Sequence, residues 1–221
     1  MRFVFAIAAL IFFVGVFSSC DDKEILGRME TNSKSLKSFK ADMTVEIFNA
    51  QLGETDTNKG KLIYLPQKKN DFAARIDWVS PAQESLAVVN KQYLLYSPRL
   101  KQAFLGRIDD AKIAGLVNEV MAFMNVSKDQ LKANYNIKYV GQEKLSNGTI
   151  TWHLEFTPKV KKYYKTAEIW ADKNGTPIQM KVVQNNADTI TVLFTNIEKN
   201  VKIDGSVFKI NLPKNVKIVK G

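Results

Sequence analysis

A mainly β chain of the α+β class is predicted: an incomplete antiparallel β-barrel of about ten or eleven strands, with an N-terminal helix and a helical lid. Three observations predict it. Residues 72–105 (FAARIDWVSPAQESLAVVNKQYLLYSPRLKQAFL) contain four short apolar runs separated by tight punctuation. From Tyr135 onward, alternating apolar and polar residues recur between hairpin-sized turns. Only two regions carry the 3.6-residue period of a convincing amphipathic helix.

The elements follow in order. Residues 1–19 pair a basic start, Met1-Arg2, with an apolar run from Phe3 to Phe17. That run is short for a spanning helix, which needs about 20 apolar residues, and has the length of a signal-peptide core. It ends in Phe17-Ser18-Ser19-Cys20, which resembles a lipoprotein cleavage motif with Cys20 as the lipidated first residue of a domain covering 20–221. Cys20 is the only cysteine, so neither an intrachain disulfide nor a cysteine metal cluster can form within one chain.

The spacing Ile25, Met29, Leu36 and Phe39 predicts one helix over Ile25–Phe39. Ala41, Met43, Val45 and Ile47 alternate with polar residues and form a strand with one solvated face. Gly53–Lys59 is polar and is expected to be a loop, with the next strand at Lys61–Leu65. Phe72, Ala74, Ile76 and Trp78 share a strand face, opposite Arg75 and Asp77; Ser80-Pro81 stops the strand, because proline supplies no ladder donor. Leu86–Val89, Tyr93–Tyr96 and Gln102–Leu105 follow across turns at Asn90-Lys91 and Ser97-Pro98.

Asp109 or Asp110 can cap a helix whose stripe is Ile113, Leu116, Val117, Val120, Met121 and Met124. Ser127 and Gln130 form a capping box for a shorter helix. Tyr135, Ile137 and Tyr139 then alternate, Asn147-Gly148 turns the chain, and Trp152, Leu154 and Phe156 return. Thr166–Ala171 pairs with Ile178–Val183; strands at Ile190–Phe194 and Phe208–Leu212 close the sequence.

The strand ending in Trp78 before a proline, the segment "YLLYSP" and the strand "QAFL" resemble the LolA family of periplasmic lipoprotein carriers. So do Phe156-Thr157-Pro158-Lys159, the hairpin Ile169–Met180 and Phe208-Lys209-Ile210-Asn211-Leu212-Pro213, in the family's order over roughly residues 25–219. The resemblance implies an apolar cavity that shelters lipoprotein acyl chains in transit to the outer membrane. It also implies an inner-membrane release complex, an outer-membrane acceptor and a periplasmic address. On that fold the cavity would be lined by Met43, Val45, Ile47, Ile76, Trp78, Leu86, Val88, Leu95, Trp152, Leu154, Phe156, Ile169 and Met180. The stripe from Ile113 to Met124 would be its lid. The family's lid-latching arginine has no counterpart beside Leu65-Pro66. A lipidated Cys20 would tether this chain to a membrane, so an anchored acceptor or lipid-sensing module is the alternative.

Enzyme chemistry finds little support. His153, the single histidine, alternates with Trp152 and Leu154, so it is expected on the surface, away from the apolar face, and not as a general base. Asp172 and Asp188 suit turns, and neither a phosphate-binding glycine loop nor a metal-ligand spacing or cofactor motif is present. Without Arg2 the chain holds 31 Lys+Arg against 22 Asp+Glu, a net charge of +9. For an exported chain this favours anionic membrane surfaces or acidic proteins over nucleic acid. Lys159, Lys161 and Lys162, beside Tyr163-Tyr164, are the expected contact patch.

Overall fold

The computed structural model describes residues 22–67, 71–108, 124 and 127–220. Helix α1 (Asp22–Ser35) leads into β1 (Phe39–Asn49), β2 (Glu54–Pro66), β3 (Phe72–Ser80), β4 (Glu84–Val89), β5 (Gln92–Ser97) and β6 (Gln102–Arg107). Then come α2 (Lys128–Asn134), β7 (Tyr135–Lys144), β8 (Ile150–Pro158), β9 (Tyr164–Ala171), β10 (Pro177–Gln184) and β11 (Thr189–Lys199). A 3-10 turn (Gly205–Phe208) and β12 (Lys217–Lys220) end the chain. The strands form one sheet of twelve, ordered β12-β6-β5-β4-β3-β2-β1-β11-β10-β9-β8-β7. All neighbours are antiparallel except β12, which lies parallel to β6. The outermost strands, β7 and β12, do not pair, so the sheet curves without closing.

Antiparallel register sorts the connections onto two ends. The loops 50–53, 81–83, 98–101, 159–163 and 185–188 share one end, called the rim below. The turns at 90–91, 145–149 and 172–176 share the other. The rim loops brace one another: the Asp188 carboxylate accepts the Ala50 N–H at 2.9 Å, and the Asn185 side-chain amide donates to the Lys162 carbonyl at 2.9 Å.

Most expected elements stand where their patterns put them, including the capping box, in which Ser127 and Gln130 bond reciprocally at the start of α2. Three boundaries differ. Helix α1 stops at Ser35, and Phe39 opens β1 instead of ending the helix. The run Thr31–Ser35 is polar, and its hydroxyls bond nearby carbonyls, Thr31 to Gly27 and Ser35 to Asn32, which competes with helix continuation. The expected loop Gly53–Lys59 is largely strand, because β2 begins at Glu54 and stays in register with β1 from Asn49↔Glu54 onward. Ladder hydrogen bonds satisfy that backbone although few of its side chains are covered.

The third difference is the expected strand at Phe208–Leu212. Asp204 caps the 3-10 turn, and the Arg75 guanidinium donates to the Val207 carbonyl at 2.7 Å, so this segment lies as a strap over the outer face of β3 and β4. Ladder pairing is restored only at β12. Of the lid stripe, Ile113, Leu116, Val117, Val120 and Met121 lie outside the described residues, as do Asp109, Asp110 and Cys20; Met124 is buried in the core. Among the described residues, no helix is long and apolar enough to cross a membrane.

Candidate functional site

Period-two side-chain alternation gives the curved sheet an apolar concave face and a convex face that is polar except under the strap, where Ala87, Leu94 and Leu105 line a cleft with Phe208 and Ile210. On the concave face, cross-strand partners align in two continuous rows that meet at β1. One runs Tyr139, Leu154, Ile169, Met180, Val192, Val45 across β7, β8, β9, β10, β11 and β1. The other runs Phe104, Leu95, Leu86, Ile76, Leu62, Ala41 across β6, β5, β4, β3, β2 and β1. Each row is a chain of paired apolar side chains, the unit by which sheets are stabilised.

The expected lining residues fall on this face. Met43, Val45, Ile76, Leu86, Val88, Leu154, Phe156, Ile169 and Met180 are buried in the core, and Trp78, Leu95 and Trp152 pack against it half-covered. Ile47 differs, at 38% exposed: it lies near the rim end of β1, opposite the uncovered Asp56 of β2. Two aromatic rings lie over glycines on neighbouring strands, Trp78 over Gly60 and Tyr93 over Gly106. A Cβ at Gly60 would stand 2.8 Å from the Asp77 carbonyl and 3.0 Å from the indole, so glycine makes room for Trp78 there.

Helix α1 covers part of the face, burying Ile25, Leu26 and Met29. Its backbone at Arg28 and Met29 touches the β9–β10 turn at Gly175, whose φ of +76° and lack of a side chain permit that approach. The Arg28 guanidinium lies 5.5 Å from the centre of the Trp152 ring. Sequence reasoning left out Tyr64, fully buried in β2, whose hydroxyl has no hydrogen-bond partner among the described residues; burial pushes its phenol up to about 12. It also left out the Tyr135–Tyr164 pair, whose hydroxyls are 2.8 Å apart. Tyr64 continues the alternation of Leu62, and Tyr135 that of Ile137 and Tyr139, which would have found them; Tyr164 is out of phase with Ala167 and Ile169, across a register shift in the β9–β10 pairing.

The basic patch is not uniformly solvated. Lys162 donates to the Tyr135 hydroxyl at 2.8 Å and stands over the Tyr135 and Tyr164 rings, while Lys159 donates to the Lys132 carbonyl at 2.7 Å. An open cleft of about 700 Å³ lies at the rim between Pro81–Gln83 and Pro98-Arg99.

The convex face carries a polar cluster across β7, β8 and β9, and it corrects the expectation for His153. The ring does point away from the apolar rows, but it is only 7% exposed. Its Nδ1 is 2.8 Å from Glu143, its Nε2 is 2.9 Å from Glu168, and it stacks on Trp170 at 4.0 Å. Trp170 donates to Glu143 at 2.7 Å, and Lys181 is 3.6 Å from Glu168. A bulge between Tyr139 and Gly141 brings this about. Tyr139 faces inward opposite Leu154, and the extra residue reverses the alternation so that Glu143 faces outward opposite Thr151. Burial works against a charge on His153, but the Glu168 and Glu143 carboxylates outweigh it and raise its pKa. The hydrogen bond to His153 lowers Glu168, and the Trp170 indole, ahead of His153, lowers Glu143. The cluster is a structural clamp joining β7, β8 and β9, buried on the side away from the apolar face.

Among solved structures, the fold is similar to that of an uncharacterised conserved protein from Thermus thermophilus, at 14% identity and a TM-score of 0.57, with 90% of this chain and 98% of that one covered. It is also similar to a chain of the MucA/MucB complex of Pseudomonas aeruginosa, at 14% identity and a TM-score of 0.51, covering 85% of this chain and 60% of that one. These likenesses concern the fold alone. No curated protein matches the sequence. The profile described as "Outer membrane lipoprotein carrier protein LolA" matches residues 34–211, which include every strand from β1 to β11 and so both apolar rows; the chain belongs to the LolA family.

Proposed function

We propose that the chain is a periplasmic carrier or localisation factor, not an enzyme, which shelters lipoprotein acyl chains against its concave face and passes them towards the outer membrane. The observation that carries this reading is the pair of apolar rows on the open side of a family sheet. Such a surface suits long unbranched chains. Each buried CH₂ contributes about 0.8 kcal/mol, so one acyl chain represents on the order of 10 kcal/mol gross. Met43 and Met180 on the face, with Met124 against it, add side chains that adapt to irregular apolar shapes.

The family supplies the expected partners: an inner-membrane release complex as donor and an outer-membrane acceptor. The leader and Cys20 support a second reading, in which the chain is itself a membrane-anchored acceptor or lipid sensor. Native mass spectrometry of the chain purified from an envelope fraction without detergent tests the shared core of both. An adduct with the mass of an acylated species is expected, displaced by excess fluorescent fatty acid. A uniform apo mass together with no fatty-acid uptake would sink the proposal. Metabolic labelling with a fatty-acid analogue separates the two readings, since only the anchored form requires label that Cys20→Ser abolishes.

A further inference from the structure

Large apolar side chains are exposed at nine positions among the described residues, and their placement is uneven. Five are on the rim: Leu52 at 69%, Val79 at 55%, Leu100 at 53%, Val160 at 77% and Tyr163 at 51% exposed. Four come from three connections, β1–β2, β5–β6 and β8–β9, and Val79 stands at the rim end of β3 beside the β3–β4 connection. At the opposite end, the described turns 90–91, 145–149 and 172–176 leave only the adjoining Ile150 in this class. The rim loops are also basic. Residues 50–53, 81–83, 98–101, 159–163 and 185–188 carry five Lys/Arg (Arg99, Lys101, Lys159, Lys161, Lys162) against one acid, Asp188. Glu54, Asp56 and Glu84 stand on the adjoining strand ends.

We infer that the rim is a membrane-docking face that seats these apolar tips in the headgroup region of an anionic bilayer. A protein partner would call for a contiguous, well-packed apolar centre. Here the tips are spread over three loops and the end of β3 with cations beside them, which suits a deformable interface that takes each tip shallowly and attracts the cations. Tyr163 adds an amphipathic ring of the type that favours membrane–water interfaces. Rim docking gives the proposed carrier its delivery side, yet it is measurable on a chain that carries nothing.

The test is flotation of the chain begun at Asp21, which lacks Cys20 but keeps every strand and the core. Vesicles of equal parts phosphatidylglycerol and phosphatidylethanolamine are compared with pure phosphatidylcholine. Binding to the anionic vesicles is expected, weakened by salt, and lowered roughly tenfold by Leu52→Ser combined with Val160→Ser. Ile150→Ser, at the far end, is the control and should bind as the parent does. Melting curves confirm that these surface changes leave the fold intact, and fatty-acid uptake, scored separately, reports the concave face. No binding of the parent to anionic vesicles, or equal loss from Ile150→Ser, overturns the inference. So does a dimer in solution that disappears with the rim changes while vesicle binding stays absent, because the rim would then be a protein interface.

Discussion

His153 sits between two carboxylates, and that placement makes the clamp on the convex face sensitive to pH at both extremes. Its pKa is raised above the ordinary 6.5, so the stability it adds is complete below that value and fades as pH rises through the folded-state pKa. Glu143 and Glu168 are held below the ordinary 4.5, so their share is present above that value and lost as acid protonates them. The cluster therefore stabilises most between about pH 4.5 and 6.5. The stability difference between the chain and His153→Gln should be largest in that window and shrink towards pH 9. Denaturant midpoints measured across the range check this, and a constant difference would mean that the ring stays neutral. Alternation in the sequence was enough to turn His153 away from the apolar rows. It was not enough to give the residue its neighbours, because the bulge at Val140-Gly141, which the glycine inside that strand signals, reverses the face on which Glu143 lies.

Elements were legible where the turn chemistry was local. Asn90 and Lys91 adopt φ of 51° and 62°, the left-handed pair that a tight hairpin requires, and Gly148 and Gly175 turn their hairpins with positive φ. The polar half of β2 was not legible, since Glu54–Lys59 is ordered by its ladder with β1 and not by burial. The strap was misread for the opposite reason: Phe208, Ile210 and Leu212 alternate as a strand would, but Arg75 of β3 takes the Val207 carbonyl just before them and reaches the Lys209 carbonyl at 3.5 Å. Arg75 donates to Val207 and, with two nitrogens, to Asp77 at 2.7 and 2.9 Å, and Ser85 completes the Asp77 shell at 2.7 Å. Arg75→Leu should remove the strap's fastening and leave Asp77 less well satisfied, costing about 1–3 kcal/mol. Hydrogen exchange should then quicken at Val207–Ile210 before it quickens in β1 or β11. Unchanged exchange there would mean that Phe208 packing alone holds the strap.

At the scale of the whole molecule, the sheet has two unpaired margins, and the chain between Ile108 and Ser127 connects them. It leaves β6, which has only β12 outside it, and returns through α2 into β7 at the far margin. It also starts at the end opposite the rim, where the Ile108 N–H bonds the Lys91 carbonyl, and α2 delivers it to the rim. Met124, buried at 5% exposure in the core cluster, is its described foothold. If the stripe from Ile113 to Met124 is a lid, it covers the concave face when the carrier is empty and yields that surface to an acyl chain when it is loaded. The two arrangements must differ by only a few kcal/mol for cargo both to enter and to leave. Val120→Asp should then weaken fatty-acid uptake while the twelve-stranded sheet stays folded, because the strand ladders are complete without the segment. A fixed core helix would respond with a loss of several kcal/mol in global stability, the consequence of burying an unpaired charge. Hydrogen exchange on the empty protein discriminates. Amides of Leu116–Met124 should exchange faster than those of β1 and β11, and should slow when fatty acid is added. Protection equal to that of the central strands in the empty protein would make the segment part of the core, and another element would then have to admit the cargo.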